Sequence, residues 1–120
     1  YSHFHVGAAL LTKEGKVYQG CNIENAAYSP SVCAERTAFF KAVYEGERNF
    51  KAIAIMGGPE TVKGPDCDIC APCGICRQVM MEFCDPGTFE ILLGTPEKYE
   101  IYTLKEILPL GFGSANLKKK

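Results

Sequence analysis

Four residues in two short stretches have side chains that could hold a metal ion and move a proton. Cys33 and Glu35 lie in the first stretch, and Cys73 and Cys76 lie in a later Pro-Cys-x-x-Cys sequence. Three protein ligands rather than four are typical of a catalytic zinc site, which keeps one coordination position open for water or substrate. The pattern predicts one Zn²⁺ per chain held by Cys33, Cys73 and Cys76. Glu35 is then expected to act as general base and acid.

The number and spacing of the cysteines allow other interpretations of the predicted metal site. The chain has seven cysteines, and Cys67, Cys70, Cys73 and Cys76 recur at every third position. In an intracellular protein such a run favours metal or redox chemistry over disulfides. An iron–sulfur cluster is disfavoured because the bacterial ferredoxin run ends with a three-residue gap and a proline, which this run lacks. A structural zinc site would recruit Cys67 or Cys70 as a fourth ligand.

Length and composition restrict the class of protein. The 120 residues fit one domain, 1–120, and a content of 47% hydrophobic and 22% charged residues is ordinary for a globular chain. No apolar run reaches the roughly 20 residues that span a bilayer, and no basic, apolar leader opens the chain. The net charge is −1, without the basic stripe that nucleic-acid binding requires. We therefore expect a cytoplasmic protein with neither a membrane nor a nucleic acid as its partner.

Hydrophobic periodicity predicts the order β β α β α β β followed by a short α, a mixed sheet packed by helices. The first two strands should form a hairpin, and the connection at Thr95–Lys98 is so short that the strands it joins must be antiparallel. Both metal-ligand stretches fall at predicted helix beginnings, where exposed amides lower thiol pKa values. Strands are predicted at Phe4–Leu11, Val17–Asn22, Lys51–Met56, Phe89–Leu93 and Tyr99–Tyr102, and helices at Ser31–Glu45, from near Pro72 to about Cys84, and at Leu104–Leu108.

Two arginines lie at helical spacing from the predicted ligands. Three thiolates give the zinc site an excess negative charge, which weakens the metal as a Lewis acid. Arg36 follows Cys33 by three residues and Arg77 follows Cys73 by four, so each can lie over a ligand sulfur on its own helix. We hypothesise that both arginines hydrogen-bond thiolates and offset the charge. The alternative is that they are ordinary arginines on helix surfaces.

Five motifs follow one another in order along the chain: Tyr1–Leu10, Gly20–Ala26, Cys33–Ala38, Pro72–Gln78 and Leu108–Phe112. Together they resemble the small homotetrameric zinc-dependent cytidine deaminases. The resemblance implies a three-layer α/β/α fold around a mixed five-stranded sheet, with the last two strands antiparallel. It also implies hydrolytic deamination of cytidine and deoxycytidine to uridine and deoxyuridine, in pyrimidine salvage.

The same resemblance implies a set of nucleoside contacts. Phe4 would pack against the pyrimidine, Asn22 and Glu24 would bind the ribose hydroxyls, and Ala34 would line the site. Phe112 would reach the active site of a neighbouring subunit in the homotetramer. Strand alternation places Asn22 and Glu24 on the same side of an extended segment. From the sequence alone they could equally be surface polar residues, and the two phenylalanines could be packing residues.

The chain also departs from the family pattern. The segment Tyr28–Val32 lacks the glycine that the family carries in this loop, so the resemblance does not predict the geometry of the loop. The given sequence begins at the Tyr-Ser-x-Phe motif, so we expect the helix that the resemblance implies before this motif to be either trimmed or missing. In the latter case one face of the sheet would need another cover.

Three other functions remain to be weighed. A blasticidin-type aminonucleoside deaminase shares the metal motif but lacks the Asn-x-Glu pair of Asn22 and Glu24. A non-catalytic zinc-binding interaction module would bind zinc and leave cytidine unchanged. Deaminases of tRNA or single-stranded DNA are disfavoured because the link at Thr95–Lys98 has no room for a crossover helix and no polynucleotide groove is indicated.

Overall fold

The computed structural model describes residues 4–27, 31–59, 71–95 and 97–118, without the side chains of residues 4, 58, 59 and 118. None of the helices found there has the length and apolar character needed to cross a bilayer. The elements in chain order are β1 (Phe4–Thr12), β2 (Val17–Cys21), α1 (Ala34–Tyr44), β3 (Phe50–Pro59), α2 (Gly74–Phe83), β4 (Glu90–Gly94), β5 (Tyr99–Thr103), α3 (Leu104–Ile107) and α4 (Ser114–Lys118).

The five strands form one mixed sheet in the order β2-β1-β3-β4-β5. β3 and β4 are parallel, whereas every other neighbouring pair is antiparallel. A parallel pair needs a crossover connection, and α2 lies between these two strands in the chain. The predicted α/β class, the β1–β2 hairpin and the antiparallel β4–β5 pair are confirmed.

One face of the sheet forms the hydrophobic core with α1 and α2. Strand alternation places Leu10, Ile53 and Ile91 on this face, and all three are fully buried. Phe39 of α1 lies at its centre. Its ring centroid is 5.2 Å from that of Phe50, 6.3 Å from that of Phe83 and 6.0 Å from that of Phe89. Because these rings come from α1, α2, β3 and the residue before β4, they pack both helices against the sheet.

The opposite face of the sheet is apolar but open within the described residues. Exposed side chains there include Met56, Tyr99 and Ile101. Met56 and Tyr99 line a concavity of about 550 Å³ together with small residues such as Ala9 and Ala54. No described helix packs over these side chains, so the expected third layer is not seen in this part of the chain.

The predicted end of β3 and the predicted beginnings of α1 and α2 are wrong. β3 does not end before Gly57 but continues to Pro59, because the first residues of β1 pair with this extension. Pairing with β1 here overrides the turn preference of Gly-Gly-Pro. Helices α1 and α2 begin later than predicted, with Cys33 and Cys73 as extended N-cap residues at φ/ψ of −74°/155° and −70°/169°. Helix α4 was not predicted at all.

Candidate active site

The sulfur atoms of Cys33, Cys73 and Cys76 converge, and their Sγ atoms all lie within 4.8 Å of one another. The Cys33–Cys73 distance is 3.6 Å and the Cys73–Cys76 distance is 3.4 Å. Tetrahedral zinc with Zn–S bonds of about 2.3 Å requires sulfurs about 3.8 Å apart, so the cluster fits Zn²⁺. Cys67 and Cys70 lie outside the described residues.

The beginning of α2 influences the nearest sulfur. Cys73 is the N-cap of α2, and its side chain makes no capping hydrogen bond, but the backbone amides of Cys76 and Ile75 favour its thiolate form. Burial alone would raise the pKa of the Cys73 thiol, but these amides and the neighbouring thiols lower it overall. Burial, reinforced by the charge of Glu35, raises the pKa of the Cys76 thiol. Metal binding must therefore displace a proton from Cys76.

Glu35 lies in the first turn of α1 and is only 4% exposed. Burial raises the pKa of its carboxyl group, and the countering influences include a hydrogen bond with Cys76 and the charge of Arg36. A carboxyl group with a raised pKa beside a metal-ligand cluster is suited to taking up and releasing a proton.

Arg36 lies on the same turn and faces the sulfurs. Its Nη2 atom is 3.5 Å from Cys33 Sγ. The hydrogen bond to Cys33 raises the pKa of this guanidinium, with a further contribution from Cys76. Arg36 Nε is buried and has no acceptor within the described part of the chain. A guanidinium in this position offsets the negative charge of the ligand set.

Arg77 does not make the contact that its spacing predicts. Its Nε donates to the carbonyl of Pro72 at 2.8 Å and its Nη1 to the carbonyl of Ile107 at 2.6 Å. No bond to a thiolate is found for it among the described residues. The i, i+4 rule fails here because Cys73 is the N-cap, outside the regular turns of α2, and because two carbonyls lie within reach of the guanidinium.

The residues after β2 are held beside the first metal ligand. Ile23 and Val32 exchange backbone hydrogen bonds of 2.8 Å, and Val32 immediately precedes Cys33. Asn22 Oδ1 accepts a hydrogen bond of 3.0 Å from the Val6 amide, so part of this side chain anchors β1. Glu24 is exposed. The bridge therefore brings the predicted ribose-binding pair close to the ligand turn in space.

The other predicted contact residues differ from one another in their exposure to solvent. Ala34 is fully buried, while Phe112 is 58% exposed and lies between α3 and α4. Phe4 begins β1 opposite Pro59, and its side chain is outside the description. Sequence reasoning did not predict the close approach of Gly20 to the backbone of α1. A glycine within a strand pattern often marks such an approach.

Comparison with known proteins agrees with this geometry. Residues 1–90 match the family model of the cytidine and deoxycytidylate deaminase zinc-binding region. The chain belongs to this family. The metal chemistry that defines the family is therefore expected at the Cys33, Cys73 and Cys76 cluster, which is confirmed as a fit for one Zn²⁺ per chain.

Individual family members are similar over most of their length. A cytidine deaminase from Sporosarcina psychrophila is 49% identical over 117 residues, covering 98% of this chain and 81% of the relative. The crystal structure of a cytidine deaminase from Burkholderia pseudomallei superposes with a TM-score of 0.80 at 46% identity, covering 93% of this chain and 84% of that one. A blasticidin-S deaminase from Bacillus cereus is 31% identical over 109 residues, 90% of this chain and 76% of the relative.

Proposed function

We propose that the protein catalyses hydrolytic deamination of cytidine and deoxycytidine to uridine and deoxyuridine, with release of ammonia. The observation that carries this proposal is the buried Glu35 carboxyl group beside three converging cysteine sulfurs. Family membership and the relatives named cytidine deaminase support the choice of substrate.

Each component of the site has a role in this reaction. Cys33, Cys73 and Cys76 would hold a zinc ion, which would supply the Lewis acidity needed to activate a water molecule toward C4 of the pyrimidine. The Glu35 carboxylate takes a proton from the attacking water and delivers it to N3. It then takes the proton of the new C4 hydroxyl group and passes it to the amino group, which leaves as ammonia while the C4 carbonyl forms, so one residue serves as base and acid. Arg36 offsets part of the negative charge of the ligand sulfurs, so that this charge weakens the Lewis acidity of the metal less.

The nucleoside contacts are part of the same proposal. Asn22 and Glu24 bind the ribose hydroxyls, Phe4 packs on the base, and Ala34 lines the pocket beside Cys33. Phe112 completes the pocket of a neighbouring subunit in a homotetramer. The exposure of its ring and the Ile23–Val32 bridge are consistent with these assignments. We further propose that residues 1–120 act as one deaminase domain, in the cytoplasm, in pyrimidine salvage.

Incubation of the zinc-loaded protein with cytidine tests the activity. Loss of the ultraviolet absorbance of cytidine, with formation of equimolar uridine and ammonia, is the expected result. Unchanged cytidine in a preparation that contains one zinc per chain would refute the proposal and favour a non-catalytic zinc-binding module.

Two further measurements separate the alternatives. Blasticidin S in the same assay should be a much poorer substrate than cytidine, and the reverse order would identify the protein as an aminonucleoside deaminase. X-ray absorption of the bound zinc should show three sulfur ligands and one lighter atom. Four sulfur ligands would mean that Cys67 or Cys70 closes a structural site.

A further inference from the structure

Arg77 connects the second metal-ligand turn to a distant part of the chain. It bonds at 2.8 Å to the carbonyl of Pro72, the residue directly before the ligand Cys73. Its other bond, at 2.6 Å, reaches the carbonyl of Ile107 at the end of α3. Carbonyls in the last turn of a helix have no partner within the helix, so this acceptor needs an outside donor. One guanidinium thus satisfies two backbone groups that the local structure leaves unpaired.

A second set of contacts holds the residues that follow α3. Gln78 Nε2 donates to the carbonyl of Phe112 at 2.8 Å. Met81, one turn further along α2, packs under two glycines of the segment. A Cβ atom would lie 3.1 Å from Met81 Sδ at Gly111 and 2.9 Å from Met81 Cε at Gly113. The segment 107–113 is therefore attached to α2 at its beginning, near its end and along the stretch between.

The backbone of this segment is in a conformation that it would not adopt alone. Leu110 has φ of 55°, in the left-handed region that non-glycine residues rarely occupy. Its side chain is fully exposed, so packing of the leucine itself does not stabilise this conformation. The flanking attachments to α2 must impose it.

We propose that Arg77 is a positioning residue that fixes the segment carrying Phe112 relative to the Cys73 ligand turn. The planar guanidinium presents several N–H groups in fixed directions and so reaches both carbonyls at once, which a lysine ammonium at the same position does poorly. The metal site and the Phe112 ring then move as one unit. The consequence for catalysis rests on the proposed function, because it requires Phe112 to contact substrate.

The chain contains a matched control for this arginine. Arg48 also donates to two backbone carbonyls, those of Val43 at 3.1 Å and Glu47 at 2.7 Å. It follows the C-terminal end of α1, whereas Cys33 caps the opposite end. Replacing Arg48 removes the same kind of hydrogen bond without touching the ligand turn or the segment 107–113.

The test compares Arg77→Gln and Arg77→Lys with Arg48→Gln in the zinc-loaded protein. Hydrogen–deuterium exchange should accelerate in the peptide covering 107–113 in Arg77→Gln, less in Arg77→Lys, and not in Arg48→Gln. KM for cytidine should rise on the order of tenfold in Arg77→Gln, with a smaller change in kcat and zinc still bound. Gln78→Ala, which removes only the Phe112 attachment, should show the same pattern more weakly.

Two results would overturn the proposal. The first is unchanged exchange of 107–113 in both Arg77 variants. The second is accelerated exchange with KM and kcat no different from those of Arg48→Gln. If Arg77→Gln does not fold, Arg77→Lys and Gln78→Ala decide the question. A wild-type protein inactive on cytidine refutes the proposed function instead, and the exchange data still report whether Arg77 holds the segment.

Discussion

Gly20 of β2 lies directly against the first turns of α1, over the carbonyl oxygen of Ala34. A Cβ atom at position 20 would overlap that oxygen and come within 2.6 Å of the Ala38 nitrogen. Both obstacles are backbone atoms, which cannot rotate away as a side chain can. The absence of a side chain at Gly20 therefore sets how closely α1, with Cys33 at its N-cap, approaches the sheet.

Gly20→Ala should displace α1 and loosen the metal site. Overpacking of this kind costs about 1–3 kcal/mol of unfolding free energy, and a shift of Cys33 away from Cys73 should weaken zinc binding. Urea denaturation and competition with a chelator measure the two effects. Gly7→Ala is the control, because a Cβ atom at this strand glycine meets nothing within 4 Å. Equal stability and zinc affinity in the two variants would contradict this role for Gly20.

Glu35→Gln should abolish most of the turnover and leave the metal in place. Loss of a positioned general acid and base typically costs a factor of about 10² to 10⁴ in rate. The amide has nearly the same shape as the carboxyl group, and Glu35 is not one of the clustered metal ligands. Zinc analysis and kcat with cytidine test this. Glu45→Gln, at the exposed end of the same helix, should behave like the wild type, and a Glu35→Gln variant as fast as this control would exclude the catalytic role.

Arg36→Gln should slow catalysis without releasing zinc. The guanidinium lies 3.5 Å from Cys33 Sγ, and removing a hydrogen bond to a charged group is worth about 1.5–3 kcal/mol, or roughly 10- to 100-fold in kcat if the interaction strengthens in the transition state. Arg36→Lys keeps the charge and should recover part of the rate. Wild-type kcat in Arg36→Gln with zinc bound would show that the arginine does not tune the metal.

Tyr18 and Glu47 should make stability depend on pH at the alkaline end. The Tyr18 hydroxyl donates to Glu47 Oε2 at 2.8 Å, and this hydrogen bond raises the pKa of the phenol. Because the neutral phenol is the form stabilised by folding, the contribution is complete below the unfolded tyrosine pKa of about 10. It is lost as pH rises through the higher folded value.

Thermal unfolding of Tyr18→Phe at a series of pH values tests the direction of this pH dependence. The variant should have a lower Tm than the wild type at neutral pH, and the difference should shrink above pH of about 10. Tyr44→Phe is the control, since Tyr44 is 88% exposed. A Tm difference for Tyr18→Phe that is constant or grows with pH would rule out the hydrogen bond as its cause.

Much of the architecture could be predicted because its signals are local. Alternating and helical spacing located all five strands, α1, α2 and α3, and the short link before Tyr99 required an antiparallel pair. The errors lie where distant residues compete with local preference. Gly57 and Pro59 read as a strand end, but β1 supplies the pairing partner that extends β3 through them.

The sequence by itself indicated the metal site, since three cysteines at these spacings at two helix beginnings predict the ligand set that the fold brings together, with Glu35 beside it as the proposed proton carrier. Only the tertiary structure decided the role of Arg77. Helical spacing pointed this side chain at Cys73, yet one of its acceptors is the carbonyl of Ile107, 30 residues away in the chain. Ligand type is a property of the residue, whereas a hydrogen bond goes to whichever unpaired acceptor the fold brings within reach.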